Sequence, residues 1–169
     1  MDRQSICIWG IIYLLMLSGA SLFAQQEAMT VEWIYSDARA EVEAIPRFQW
    51  MDNNQAMWLN MRDSESERTF QWFNPRRRTL RSALDMKKAL ESLEEQRGKA
   101  YDKKSLGWPN SFDKKGEQAL YILEDDLYVL DLASASFQRL TNTSAKEKSA
   151  RFSPDGDKVA FIRNNDLHI

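Results

Sequence analysis

Phe152-Ser153-Pro154-Asp155-Gly156 opens a run that continues Asp157-Lys158-Val159-Ala160-Phe161-Ile162-Arg163-Asn164-Asn165-Asp166-Leu167-His168-Ile169. Forty residues earlier stands Phe112-Asp113-Lys114-Lys115-Gly116, followed by its own run from Glu117 to Val129. With no gap, Phe112/Phe152, Gly116/Gly156, Ile122/Ile162, Asp126/Asp166 and Leu127/Leu167 are identical, and Tyr121/Phe161 and Val129/Ile169 are similar. In the later copy Pro154 presets φ, Asp155 hydrogen-bonds nearby backbone and Gly156 tolerates a positive φ, so the pentapeptide reads as a turn between two strands. Phe152 enters it as an apolar plug, Val159-Ala160-Phe161-Ile162 reads as a buried inner strand, and Asn164-Asn165-Asp166 turns the chain into Leu167-His168-Ile169.

Working outward, Ala119 to Leu123, Leu127 to Leu132 and Phe137 to Leu140 are short β-rich runs joined by Glu124-Asp125-Asp126, Ala133 to Ser136 and Asn142-Thr143-Ser144. Such runs predict antiparallel hairpins in a meander, with no βαβ alternation. A unit of about 40 residues holding several short strands is the signature of a β-propeller blade. A third, weaker copy starts at Trp50-Met51-Asp52-Asn53-Asn54, where Asn54 replaces glycine as the residue able to take a left-handed conformation. Ala56 to Met61 and Arg68 to Phe73 follow as strands, closed by the turn Asn74-Pro75-Arg76-Arg77-Arg78. The predicted fold is therefore all-β, a partial propeller of about three blades, with one inserted amphipathic helix and an N-terminal signal helix.

The helix is expected over about 82–98. Ala83, Met86, Ala89, Leu90 and Leu93 recur at helical spacing, with Asp85 near the start and Gly98 as a stop. A surface helix packed across blade strands is the favoured placement over a docking helix for another domain. At the other end, Met1-Asp2-Arg3, the apolar run Ile6 to Leu17 and the small-residue segment Ser18 to Ala24 predict a signal peptide over 1–24, cleaved after Ala20 or Ala24. An uncleaved anchor is the alternative. The mature region, 25–169, is then an incomplete N-terminal propeller domain, exported to the periplasm or outside the cell.

Composition narrows the chemistry. Among 169 residues, 23 Lys plus Arg face 25 Asp plus Glu, a net charge of −2 that offers no electrostatic reason for a nucleic-acid or anionic-membrane partner. There is one histidine, His168, and no Gly-x-Ser-x-Gly, so a Ser-His-Asp site has no place within the chain. The one cysteine, Cys7, lies in the apolar run, which excludes disulfides from the mature region and makes the apolar core its only support. Asn74 to Arg78 reads as a charged turn and Glu124-Asp125-Asp126 as a solvated turn without calcium-loop spacing. Asn142-Thr143-Ser144 matches a glycosylation acceptor that matters only in a eukaryotic host. No metal or cofactor is expected, and the residues singled out are structural: Phe152, Ser153, Pro154, Asp155 and Gly156.

Leu140-Thr141 followed by Ala150-Arg151-Phe152-Ser153-Pro154-Asp155-Gly156 and the run to Leu167 resembles the first-to-second blade region of bacterial dipeptidyl peptidase IV-like enzymes of the prolyl oligopeptidase family. The export signal, the Trp50 blade and the helix before Trp108 also resemble that group, although the Ser-Pro-Asp-Gly turn occurs in Tol-system periplasmic propellers as well. The resemblance implies a secreted or periplasmic serine exopeptidase whose eight-bladed propeller screens an α/β-hydrolase domain and helps bind the substrate's amino terminus. Its catalytic residues and paired glutamates match no position here, so substrate-binding residues stay unknown and the chain is expected to be inactive alone. The expected partners are a hydrolase domain of the same polypeptide and its peptide substrate. The alternative is part of a non-catalytic, Tol-system-like propeller for protein interaction. A chain stopping inside a blade leaves an unpaired strand, which predicts edge-to-edge self-association.

Overall fold

The computed structural model describes residues 30–35 and 45–169. The predicted signal segment, 1–24, lies outside the described residues. Two units are distinguished, Met1–Val42 and Glu43–Ile169. The first contributes one described helical turn, α1 (Val31–Ile34).

The second unit is built from three antiparallel meanders. Blade one contains β1 (Arg47–Trp50), β2 (Ala56–Leu59), β3 (Phe70–Asn74) and β4 (Thr79–Ser82), paired in that order. Blade two contains β5 (Ser111–Phe112), β6 (Gln118–Leu123), β7 (Asp126–Asp131) and β8 (Ser136–Arg139), again in sequence order. Blade three contains β9 (Glu147–Phe152), β10 (Val159–Arg163) and β11 (Asp166–His168). Short strands linked by tight turns leave each strand no nearer partner than its neighbour in sequence, so the order of each sheet follows the order of the chain.

The repeat is a repeat of register. Trp50 pairs with Ala56, Phe112 with Ala119 and Phe152 with Val159, so the three aromatic residues occupy one position in successive blades. The turns after them share a hydrogen bond in which Asn54, Gly116 and Gly156 donate their N–H to the carbonyls of Met51, Asp113 and Ser153. All three donors have positive φ, 57°, 72° and 85°. Asn54 thus takes the conformation expected of it.

Each sheet has two faces, and adjacent blades bury facing sides. Met57, Leu59 and Phe70 of blade one join Phe112, Ala119, Tyr121, Tyr128 and Leu130 of blade two in the main core. Phe70, Trp108 and Phe112 meet ring to ring, with centroids 5.3–6.0 Å apart. The opposite face of blade two, Leu120, Ile122, Leu127 and Val129, packs with Ala150, Phe152, Val159 and Phe161 of blade three. Val159 to Ile162 is half-buried to exposed, not the fully buried strand expected, because only the face toward blade two is covered.

The inserted helix, α2, spans Met86–Arg97. It starts four residues later than expected. Thr79–Ser82 is instead the fourth strand of blade one, where all four residues are exposed and no alternation marks the strand. Asp85 is the N-cap, accepting from Lys88 N–H, and Gly98 ends the helix in the left-handed region. Ala89 and Leu93 are buried, with Met86 and Leu90 partly so. The helix lies along β8, the outer strand of blade two. Phe137 N–H donates to Ser92 Oγ (2.9 Å) and Arg139 N–H to Gln96 Oε1 (3.2 Å), so helix side chains occupy strand-edge donors that would otherwise be open to pairing.

Candidate functional site

Two ends of the blade stack carry polar structure. At one end lie the turns after β1, β5 and β9, which contain the residues singled out from the sequence. Asp113 accepts from Gln118 N–H (2.8 Å) and Lys115 N–H (3.2 Å). One repeat later, Ser153 Oγ accepts from Lys158 N–H (3.0 Å), the equivalent donor. Ser153 Oγ also bonds to Asp155 Oδ1, and Asp157 N–H donates to the same oxygen. Successive turns are joined, since Asp52 N–H donates to Lys114 O (2.9 Å) and Asn53 Nδ2 to Lys115 O (3.4 Å). Phe152, Ser153, Pro154, Asp155 and Gly156 therefore stand together as one strand-joining turn whose polar groups satisfy its own backbone.

The two glycines of these turns are not equivalent. A Cβ on Gly116 would lie 2.5 Å from Cη2 of Trp72 and 3.0 Å from Cγ of Met51, whereas on Gly156 the nearest atom, Asp113 Cβ, is 3.7 Å away. Gly156→Ala is therefore expected to cost about 1–2 kcal/mol, for a left-handed backbone alone. Gly116→Ala adds overpacking of the blade one–blade two contact, about 1–3 kcal/mol more. Urea midpoints of the two variants check the ranking. Equal losses would contradict close seating of Trp72 on Gly116.

At the opposite end, the connection between blades two and three is held by two carboxylates. Asp126 is buried and accepts from the Arg139 guanidinium, the Thr141 hydroxyl (3.2 Å) and Thr143 N–H (3.1 Å). The expected solvated turn is thus corrected at its third residue, because Arg139 and the connecting threonines fold over it. Glu124 and Asp125 remain at the tip, with φ of 52° and 70°, paired with Arg97 (2.8 Å), Lys99 (2.6 Å) and Lys146 (3.0 Å). Glu147, unmarked in the sequence, is 1% exposed. Its Oε1 accepts from Arg163 Nε (2.8 Å) and Thr143 Oγ1 (3.0 Å), while Oε2 has no hydrogen-bond partner.

Burial alone would raise the Asp126 carboxyl, but the donors from Arg139, Thr143 and Thr141 outweigh it and hold it below the usual aspartate value. Bonds from Ser134 lower Asp131, and the Ser153 hydroxyl lowers Asp155. A carboxyl that ionises at lower pH when folded binds fewer protons in the native state than in the unfolded chain. Its stabilisation is present above the unfolded value of about 4 and is lost as pH falls from there through the folded value. Urea midpoints are expected to change little between pH 7 and 5 and to fall below about pH 4. Asp126→Asn should flatten that fall, and an unchanged acid slope would contradict the role of Asp126.

Between the second and third blades a cleft of about 810 Å³ is lined by Leu127, Val129, Phe161, Gln138, Lys158 and Arg163, among others. Its walls are the diverging blade faces. Among the described residues no group of three or more His, Cys, Asp or Glu is placed to hold a metal ion. His168 stacks on Phe161 at 5.3 Å. Arg76, Arg77 and Arg78 are exposed on the turn between β3 and β4, where Asn74 Oδ1 accepts from Arg77 N–H. No described helix is long and apolar enough to cross a membrane.

Antiparallel meanders of four, four and three strands, packed face to face, define a propeller-type domain. Residues 113–169, covering most of blade two and all of blade three, match the family described as the dipeptidyl peptidase IV (DPP IV) N-terminal region, as the motif in that stretch leads one to expect. A curated relative, a TolB homolog protein of Chlorobium chlorochromatii (strain CaD3), is 51% identical over 39 residues, 23% of this chain and 9% of that protein. The crystal structure of TolB from Acinetobacter baumannii aligns with 74% of this chain and 31% of that one, at 16% identity and a TM-score of 0.41. The chain spans under a third of either protein's length.

Proposed function

We propose that residues 45–169 are propeller blades of an exported dipeptidyl peptidase-like serine peptidase, where the propeller gates access to a hydrolase domain and helps to recognise the substrate's amino terminus. The observation that carries this reading is the family match over 113–169, which falls on the second and third blades. The blades themselves supply shape and surface, and the bond-breaking groups belong to the hydrolase domain of a longer polypeptide. A chromogenic Xaa-Pro dipeptide tests the division of labour. The purified 169-residue chain is expected to give no turnover. Turnover that survives removal of contaminating peptidases would overturn the reading.

The second reading is a non-catalytic periplasmic propeller for protein interaction, favoured by the short, 51% identical match to a TolB homolog. A fluorophosphonate probe applied to the longest native form of the protein separates the two. Labelling of an active-site serine supports the peptidase, and an unlabelled full-length propeller supports the interaction module.

A further inference from the structure

The segment between α2 and β5 does more than connect two blades. It meets the loop between β2 and β3, where Lys104 N–H donates to Glu65 Oε1 (3.2 Å). It is also anchored elsewhere, since Leu106 N–H donates to Met86 Sδ (3.3 Å) and Gly107 O accepts from the Tyr121 hydroxyl (3.2 Å). Between the loop and the segment lies a pocket of about 280 Å³, close to the lower end of the roughly 300–1,000 Å³ usual for ligand sites. It belongs to blade one and its insertion, at the end opposite the turn after β1.

Arg68 lines this pocket with its charge unanswered. Its Nη2 donates to two neutral acceptors, the carbonyls of Met61 (3.3 Å) and Asp63 (3.1 Å), while its Nε is buried without a hydrogen-bond partner. Among the described residues no carboxylate pairs with it. A buried donor left unmet on a charged group is uncommon, because removing it from water is costly. Ser105 lines the pocket too, is 4% exposed, and its hydroxyl makes no hydrogen bond among the described residues. Arg47 and Lys103 add two exposed cations. The carboxylate in the lining, Glu65, is already engaged with the Lys104 backbone. Three cations against one carboxylate leave a surplus that repels an ammonium group and attracts an anion.

We propose that this pocket binds a carboxylate carried on a short apolar body. Arg68, Lys103 and the Ser105 hydroxyl receive the carboxylate, and Met61, Leu106 and Trp108 receive the body. A planar guanidinium matches a carboxylate, and the apolar wall supplies contacts that a bare inorganic anion cannot use. A blocked apolar amino acid and the C-terminal residue of a peptide share this chemistry. The pocket has the wrong charge to hold a substrate's amino terminus, so the proposal is independent of whether the parent protein is a peptidase.

Backbone amide chemical shifts of the full chain, followed during titration, test it. N-acetyl-leucine is expected to shift Glu65, Ser105, Leu106 and Gly107 saturably. N-acetyl-leucinamide should bind about tenfold more weakly or worse, the loss for one charge-assisted hydrogen bond. N-acetyl-alanyl-leucine separates the sources: binding at least as tight as N-acetyl-leucine assigns the site to a peptide C terminus, and weaker binding assigns it to a free acid. Arg68→Met should abolish binding. Lys103→Glu, at an exposed position that makes no hydrogen bond, should weaken it several-fold with unchanged far-ultraviolet circular dichroism, and it decides the matter if Arg68→Met loosens the loop. The proposal is overturned by the absence of saturable shifts at these amides, by equal binding of acid and amide, by inorganic phosphate binding as tightly as N-acetyl-leucine, or by Lys103→Glu binding like the wild type.

Discussion

Phe70→Ala is expected to lower the unfolding free energy by about 3–5 kcal/mol, the range for truncating a buried phenylalanine in a core that does not collapse around the gap. Phe70 is fully buried and lies where the first two blades meet, with the rings of Trp108 and Phe112 at 6.0 and 5.9 Å. Its removal takes away transfer energy, leaves a cavity and deletes two aromatic contacts, each worth about 0.5–1.5 kcal/mol beyond area. Neither neighbour is placed to fill the space freely, because Phe112 is fixed by pairing with Ala119. Phe70→Leu should recover more than half of the loss. Denaturant unfolding followed by tryptophan fluorescence measures both, and a loss under 1 kcal/mol for Phe70→Ala would mean that the first two blades do not share a core.

Arg163→Met is the second large effect, a loss of about 2–4 kcal/mol. Removing one partner of a buried pair costs about 3–5 kcal/mol, reduced here because the Arg163 side chain is 24% exposed and partly solvated. The substitution leaves the Glu147 carboxylate, with a side chain 0% exposed, holding only the Thr143 hydroxyl. The double variant Glu147→Met/Arg163→Met should recover most of the loss. It removes the buried charge together with the oxygen that has no partner, Oε2. A double variant as unstable as Arg163→Met would show that the arginine acts through packing on Phe161, over which its guanidinium lies at 5.1 Å.

The two predictions probe features that differ in how far the sequence reveals them. The blade repeat is legible because the aromatic plug, the left-handed turn residue and the inner-strand pattern are local and recur at one spacing. Even the substitution of asparagine for glycine at position 54 is readable, since few residues tolerate that φ. The strand Thr79–Ser82 escapes notice because all four of its residues are exposed, and the helix expected over 82–98 takes in its last residue. Asp126 reads as solvated from its acidic neighbours, whereas its burial depends on Arg139, Thr141 and Thr143, 13 to 17 residues away. Glu147 sits between two lysines and carries no local sign of burial. Of the candidate site, the turn Phe152 to Gly156 is visible in the sequence, and the carboxylates that tie blade to blade are set by tertiary contacts alone.

The central claim is that residues 45–169 fold as successive blades whose facing sheet sides are buried against one another. Side-chain nuclear Overhauser contacts test it most directly. Methyl groups of Leu120 and Leu127 should show cross-peaks to Ala150 and to the rings of Phe152 and Phe161, and the Phe70 ring should show them to Trp108 and Phe112. Hairpins that form within each blade but give no cross-peaks from one blade to the next would contradict the account.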